Sequence, residues 1–170
     1  MGAPAAAQAP AGDSVVGSGT ATFITPDLAG LTVPFSIDVR GGPRGENPVG
    51  SMQLFIAFTD PTCFVIRSGG GQVADEATIN FRNSLTGSRV VARIGGGTSG
   101  PRQIGLYQAS SASDCEFRNP GTIAEVVDGD IRIFDAPPLP TTKEQCKNGG
   151  WRSYPVFKNQ GDCIRSVTSP

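Results

Sequence analysis

Glu46 is the acid whose surroundings come nearest to chemistry. It lies in the run Gly41 to Pro48, GGPRGENP, beside Asn47 and with Arg40 and Arg44 nearby. A carboxylate flanked by guanidiniums at the mouth of a fold could act as an acid/base or hold a polar ligand. The more ordinary role of such a residue is to hydrogen-bond its own loop backbone. Tyr107 could line the same cavity, or serve as a core or rim tyrosine. Trp151, the single tryptophan, could stack on a ligand; its commoner role is that of a packing anchor. Arg40, Arg44, Glu46, Tyr107 and Trp151 are thus the candidate ligand-binding residues, and no catalytic set is assigned.

The rest of the chain narrows the chemistry. It has no histidine, which removes the usual general base and metal ligand and the Ser-His and Cys-His nucleophile pairs. The glycines at 95–97 are followed by no G-K-[ST] and no helix, so they read as a flexible turn and not as a phosphate loop. Asp128 and Asp130 flank a turn glycine but lack the remaining ligands of a calcium loop. No cofactor and no metal is expected. Four cysteines with no C-x-x-C and no zinc spacing fit disulfides in an oxidising compartment. Three pairings are open for four cysteines.

These residues must be positioned by strands. The 170 residues contain 23 glycines and 14 prolines, a composition that favours short strands joined by many turns. Residues 1–13 read as the flexible start of a mature secreted chain, with Met1 added for expression. Strands are expected from Val15 to Thr25, from Leu31 to Arg40, where Leu31, Val33, Phe35, Ile37 and Val39 alternate with polar residues, and from Met52 to Phe58. Pro34 marks an edge or a bulge. The stretch 52–58 is apolar on both faces, so it should be covered on both sides, the second time by the tail. Asp60-Pro61 should turn the chain into a strand carrying Cys63. Further strands follow at 76–81, 89–94, 103–108 and 122–127, with Cys115 in a polar loop. Asp128-Gly129 reads as a hairpin turn, after which Ile131 and Ile133 extend the last strand. Eight to nine sequential strands predict a small antiparallel barrel over residues 14–135, or alternatively a β-sandwich. Residues 136–140 form a proline-rich linker, and residues 141–170 a tail packed on the β domain.

In the tail, Thr141 and Thr142 can each cap a helix, with Glu144 and Gln145 three residues on. Asn148-Gly149-Gly150 ends it, and Asn159 caps a second turn near Asp162. Trp151, Tyr154, Val156 and Phe157 are the apolar groups available for docking. The tail is also the most specific text in the chain. Cys146-Lys147-Asn148-Gly149-Gly150-Trp151 and Phe157-Lys158-Asn159-Gln160-Gly161-Asp162-Cys163 resemble a short tail, CKNGGW followed by FKNQGDC, on uncharacterised secreted β-rich proteins of high-GC Gram-positive bacteria. The body is similar to the β-rich domain that precedes that tail, chiefly at Gly45-Glu46-Asn47-Pro48. The resemblance implies secretion and a disulfide and brings no activity with it. On that basis Cys146 pairs with Cys163, which staples two short helical turns and leaves Cys63 to pair with Cys115.

Charge is uneven. Lys143, Lys147, Arg152, Lys158 and Arg165 against Glu144 and Asp162 put residues 141–170 at +3, within a net charge of −1. The expected function is therefore a secreted, non-enzymatic β-domain for binding or assembly at the cell surface. A small-molecule-binding barrel, acting as a carrier or as an isomerase- or cyclase-type enzyme, is the alternative. The expected partner is a cell-surface protein or, through the basic tail, an anionic cell-wall polymer. Neither nucleic acid nor a membrane span is expected, and oligomerisation stays open.

Overall fold

A computed structural model describes residues 12–68, 74–95, 102–136, 139–154 and 157–168. The chain divides into two compact units at Asp135/Ala136. The first is a closed antiparallel barrel of eight strands in sequential order. They are β1 (Ser14–Phe23), β2 (Thr32–Arg40), β3 (Val49–Gln53), β4 (Ala57–Ser68), β5 (Ala74–Asn83), β6 (Arg89–Gly95), β7 (Gln103–Gln108) and β8 (Thr122–Phe134). Each strand pairs with its successor, and β8 closes on β1 from Ser14↔Phe134 to Phe23↔Ala124. Closure satisfies the edges that a sandwich would leave open. The β1–β2 ladder extends outward through Asp13, whose backbone exchanges hydrogen bonds with Gly41 and Gly42. The rest of the expected flexible segment, 1–11, lies outside the described residues, as do the glycine-rich loop at 96–101, residues 137–138 of the linker, and Val156.

Period-2 alternation decides which side chains point inward. Phe35, Ile37 and Val39 enter the core from β2, Ala77, Ile79 and Phe81 from β5, and Ala92 and Ile94 from β6. Val15, Ala21, Val39, Ala77, Ile79, Phe81, Ala92, Ile94 and Ala124 are 0% exposed. A water-sized void against any of them would raise that figure, so the middle of the barrel is filled by side chains. Eight strands enclose about the space that side chains can fill.

Three sequence expectations are corrected. The expected strand over 52–58 is broken by a tight reversal at 54–56, closed by the Leu54 N–H on the Ile56 carbonyl at 3.1 Å. Leu54 and Phe58 still enter the core, while Phe55 lies on the tip at 49% exposure, not covered on both faces. Asp60-Pro61 does not turn the chain. It is a bulge inside β4, where Asp60 has φ 49° and the register jumps from Thr59↔Arg82 to Cys63↔Asn80. A bulge tolerates a positive φ and a missing N–H as readily as a turn does. Asp128-Gly129 likewise lies inside β8, at the register shift opposite Thr20/Ala21. Gly129 has φ 92° and faces Gly19, and a Cβ on it would sit 2.1 Å from the Ser18 carbonyl oxygen. Pro34 pairs with Thr20 in β1, whereas β3 begins pairing only at Ser36, so Pro34 has a strand neighbour on one side alone.

The second unit contains α1 (Lys143–Cys146), one 3-10 turn (Gly150–Ser153) and α2 (Gln160–Ser166). Of the two threonines, Thr142 makes the capping box. It accepts from the Gln145 N–H at 3.4 Å, and its own N–H donates to the Gln145 side chain at 3.1 Å. Asn148 (φ 52°) and Gly149 (φ 84°) reverse the chain. Asn159 caps α2 by accepting from the Asp162 N–H at 2.9 Å. The Cys146–Cys163 disulfide joins the two turns, both sulfurs buried. Among the described residues no helix is long and apolar enough to cross a membrane.

Candidate functional site

Thr78 and Asn80 on β5, and Val91 on β6, alternate with core residues and so point out of the barrel, yet each is 0% exposed. The β7–β8 connection, 109–121, lies over them. Its backbone carbonyls are taken up one by one. Thr78 Oγ1 donates to Cys115 at 3.0 Å, Asn80 Nδ2 to Ser111 and Asp114 at 2.8 Å each, and Thr62 Oγ1 to Ala112 at 2.6 Å. Cys63 of β4 bonds covalently to Cys115. Arg67 places its guanidinium 3.9 Å from the Phe117 ring centroid.

Asp114 organises the segment from within. Its carboxylate, 2% exposed, accepts from the Ser110 N–H and hydroxyl, the Glu116 N–H and the Arg118 guanidinium, at 2.8 to 3.3 Å. The Ser110 N–H is the largest cause of a pKa held at about 2, against the opposing effect of burial. Tyr107 donates its hydroxyl to the Glu116 carbonyl, and burial pushes its phenol pKa upward. Two disulfides and this density of fixed polar contacts belong to an oxidising compartment and to a rigid surface.

Where the clamped segment rejoins the sheet, it forms one lip of a cleft of about 210 Å³. Glu76, Arg93 and Gln103 line it from the strands, Asn119 and Pro120 from the lip, and Ile123 from β8, above a floor of Gly95 and Gly105. Arg93 donates to the Glu76 carboxylate and, at 3.2 Å, to the Arg118 carbonyl. Gln103 Nε2 donates to Glu125 at 3.1 Å. Gly105 is required by close approach: a Cβ there would lie 2.6 Å from the Pro120 ring. A second, more open cleft of about 200 Å³ lies at the tip end of the barrel, between Phe55, Ile56, Val90 and Tyr107.

The sequence candidates do not converge. Arg40, Arg44 and Glu46 lie at the β2–β3 end of the barrel, whereas Tyr107 is near the β7–β8 end, on the outer wall, so they share no mouth. The exposed Glu46 carboxylate accepts from the Arg44 N–H at 2.7 Å, within its own loop. Gly45 (φ 70°) and Asn47 (φ 49°) make the reversal, and Gly45 packs on the Phe64 carbonyl. Arg40 pairs with Asp38 at 3.0 Å. Trp151, half-buried in the tail, carries the Arg152 guanidinium 5.4 Å from its ring centroid. Asp130 pairs with Arg132 at 3.2 Å. Sequence reasoning missed Glu76, Arg93, Gln103, Asp114 and Asn119. The one available signal was Cys115, an unexplained cysteine in a polar loop.

No known family model matches the chain, and neither a curated protein nor a solved structure is similar enough to carry an argument.

Proposed function

We propose that this is a secreted, non-enzymatic binding domain that attaches to the cell surface through its exterior. The observation that carries the reading is the pairing of a filled interior with an outer wall whose covering segment is locked by a disulfide and a buried carboxylate. A barrel that carried or transformed a buried ligand would need space in its middle. A rigid exterior loses little conformational entropy on binding, which favours recognition of a partner. The tail contributes a separate basic surface. Glu144 and Asp162 pair with Lys147 and Arg165, while Lys143, Arg152 and Lys158 remain exposed. That surface suits an anionic cell-wall polymer.

The test is co-sedimentation of the purified protein with isolated bacterial cell envelopes at two salt concentrations. Retention is expected, and removal of residues 141–170 should weaken its salt-sensitive part. A protein that stays in the supernatant under both conditions, or one that turns over a defined small substrate in a manner abolished by Glu46→Ala, would refute the reading.

A further inference from the structure

We infer that the cleft between β5–β8 and the clamped segment is a subsite for one ring of a neutral saccharide. The inference rests on the surface-binding reading and specifies what the barrel's own wall would recognise.

Three observations point there. First, the side chains are planar and polar: a carboxylate (Glu76), a guanidinium (Arg93) and two amides (Gln103, Asn119). Such groups offer donors and acceptors in one plane, as paired ring hydroxyls require. Glu76 and Arg93 are 25% and 28% exposed and held against each other. They are therefore already oriented, and each keeps part of its surface open at the wall of the cleft. Second, the apolar surface is limited to Pro120 and Ile123, enough to meet one face of a ring, above a floor of two buried glycines. A cleft of about 210 Å³ is smaller than sites for drug-sized ligands, which begin at about 300 Å³, and so suits a single ring. Third, the charge argues against an anion. Arg93, the cation among the lining residues, is already held by the Glu76 carboxylate, and Glu125 stands behind Gln103 at 3.1 Å. A uronate or phosphate would have to compete with Glu76 for Arg93; a neutral polyol would not.

The clamp makes the lip rigid. Arg93 also donates to the Arg118 carbonyl, so the residue that lines the cleft also ties down the segment supplying Asn119 and Pro120. Preorganisation of this kind lets a small polar site bind with little ordering cost.

The experiment is an NMR titration of the full chain with a panel of neutral methyl glycosides (gluco, galacto, manno and N-acetylglucosamine), with glucuronate as the anionic control. At least one neutral glycoside should shift the amides of Gly95, Gly105 and Ile123 while those of Ile37 and Met52, in β2 and β3 across the barrel, stay in place. Glucuronate should leave all of them unmoved. Asn119→Ala, at an exposed position, and Gln103→Ala should each weaken the neutral ligand about tenfold. The inference fails if no neutral glycoside moves the cleft amides, if glucuronate binds there as well, or if both variants bind like the parent. Envelope retention combined with any of these results would remove the saccharide assignment and leave the surface-binding reading standing.

Discussion

The barrel is ordered by what it buries, the tail by what ties it together. In the barrel, eight strands surround aromatic and β-branched side chains, and Phe23, Phe58 and Phe81 are at most 1% exposed. Each residue added to the core removes apolar area from water. The tail has two helices of four and seven residues, too short to persist alone. Its buried apolar positions are chiefly the two half-cystines, with Tyr154 and Phe157 edge to face at 6.4 Å. A small unit with little core depends on a covalent link and on caps. The clamped segment 109–121 uses both devices: a disulfide, and a hydrogen-bonded carboxylate buried under its own loop.

The comparison can be broken most sharply from the barrel side. Phe81→Ala should cost about 3–5 kcal/mol in denaturant unfolding followed by far-UV circular dichroism. An unchanged midpoint would mean that burial does not dominate there. In the tail, replacing Cys146 and Cys163 by serine opens a link spanning 17 residues. The expected loss is about 3 kcal/mol, read as a red shift of Trp151 emission and cleavage between 143 and 166. The strand signature of the barrel should persist, and its collapse would contradict the separate sources of order.

For the clamped segment, Asp114→Asn should destabilise by about 1–3 kcal/mol and speed amide exchange over 109–121. Because the folded pKa of Asp114, about 2, lies below the ordinary carboxylate value of 3.8, its stabilisation is complete above the ordinary value. It is lost as pH falls from about 4 towards 2. Unfolding midpoints measured down that range should show this decrement in the parent and not in the Asn variant; parallel curves would rule it out. The smallest effect belongs to the tail cap. Thr142→Ala should cost about 1 kcal/mol, visible as faster exchange at the Gln145 amide and little else.

Much of the barrel is legible in the sequence, because alternation along β2, β5 and β6 depends only on neighbours two positions apart. The clamped site is far less so. Thr78 and Asn80 alternate with Ala77, Ile79 and Phe81 just as solvent-facing residues do. Nothing local says that a segment some 30 residues downstream will cover them. Glu46 attracted notice because glycine and proline framed it, and that same framing is what makes it a loop-holding residue.

By itself, the sequence determined the strand faces, the helix caps at Thr142 and Asn159, and the reversal at Asn148-Gly149. Each rests on backbone conformations and contacts within a few residues. Only the tertiary structure decided that Asp60-Pro61 and Asp128-Gly129 bulge within strands and do not reverse the chain. The same positive φ serves either outcome, and the choice falls to the strand lying alongside: β5 for the first, β1 for the second. The cleft is tertiary for the same reason. Glu76, Arg93, Gln103 and Asn119 come from four separate stretches, and strand register together with a cross-linked loop brings them to one place.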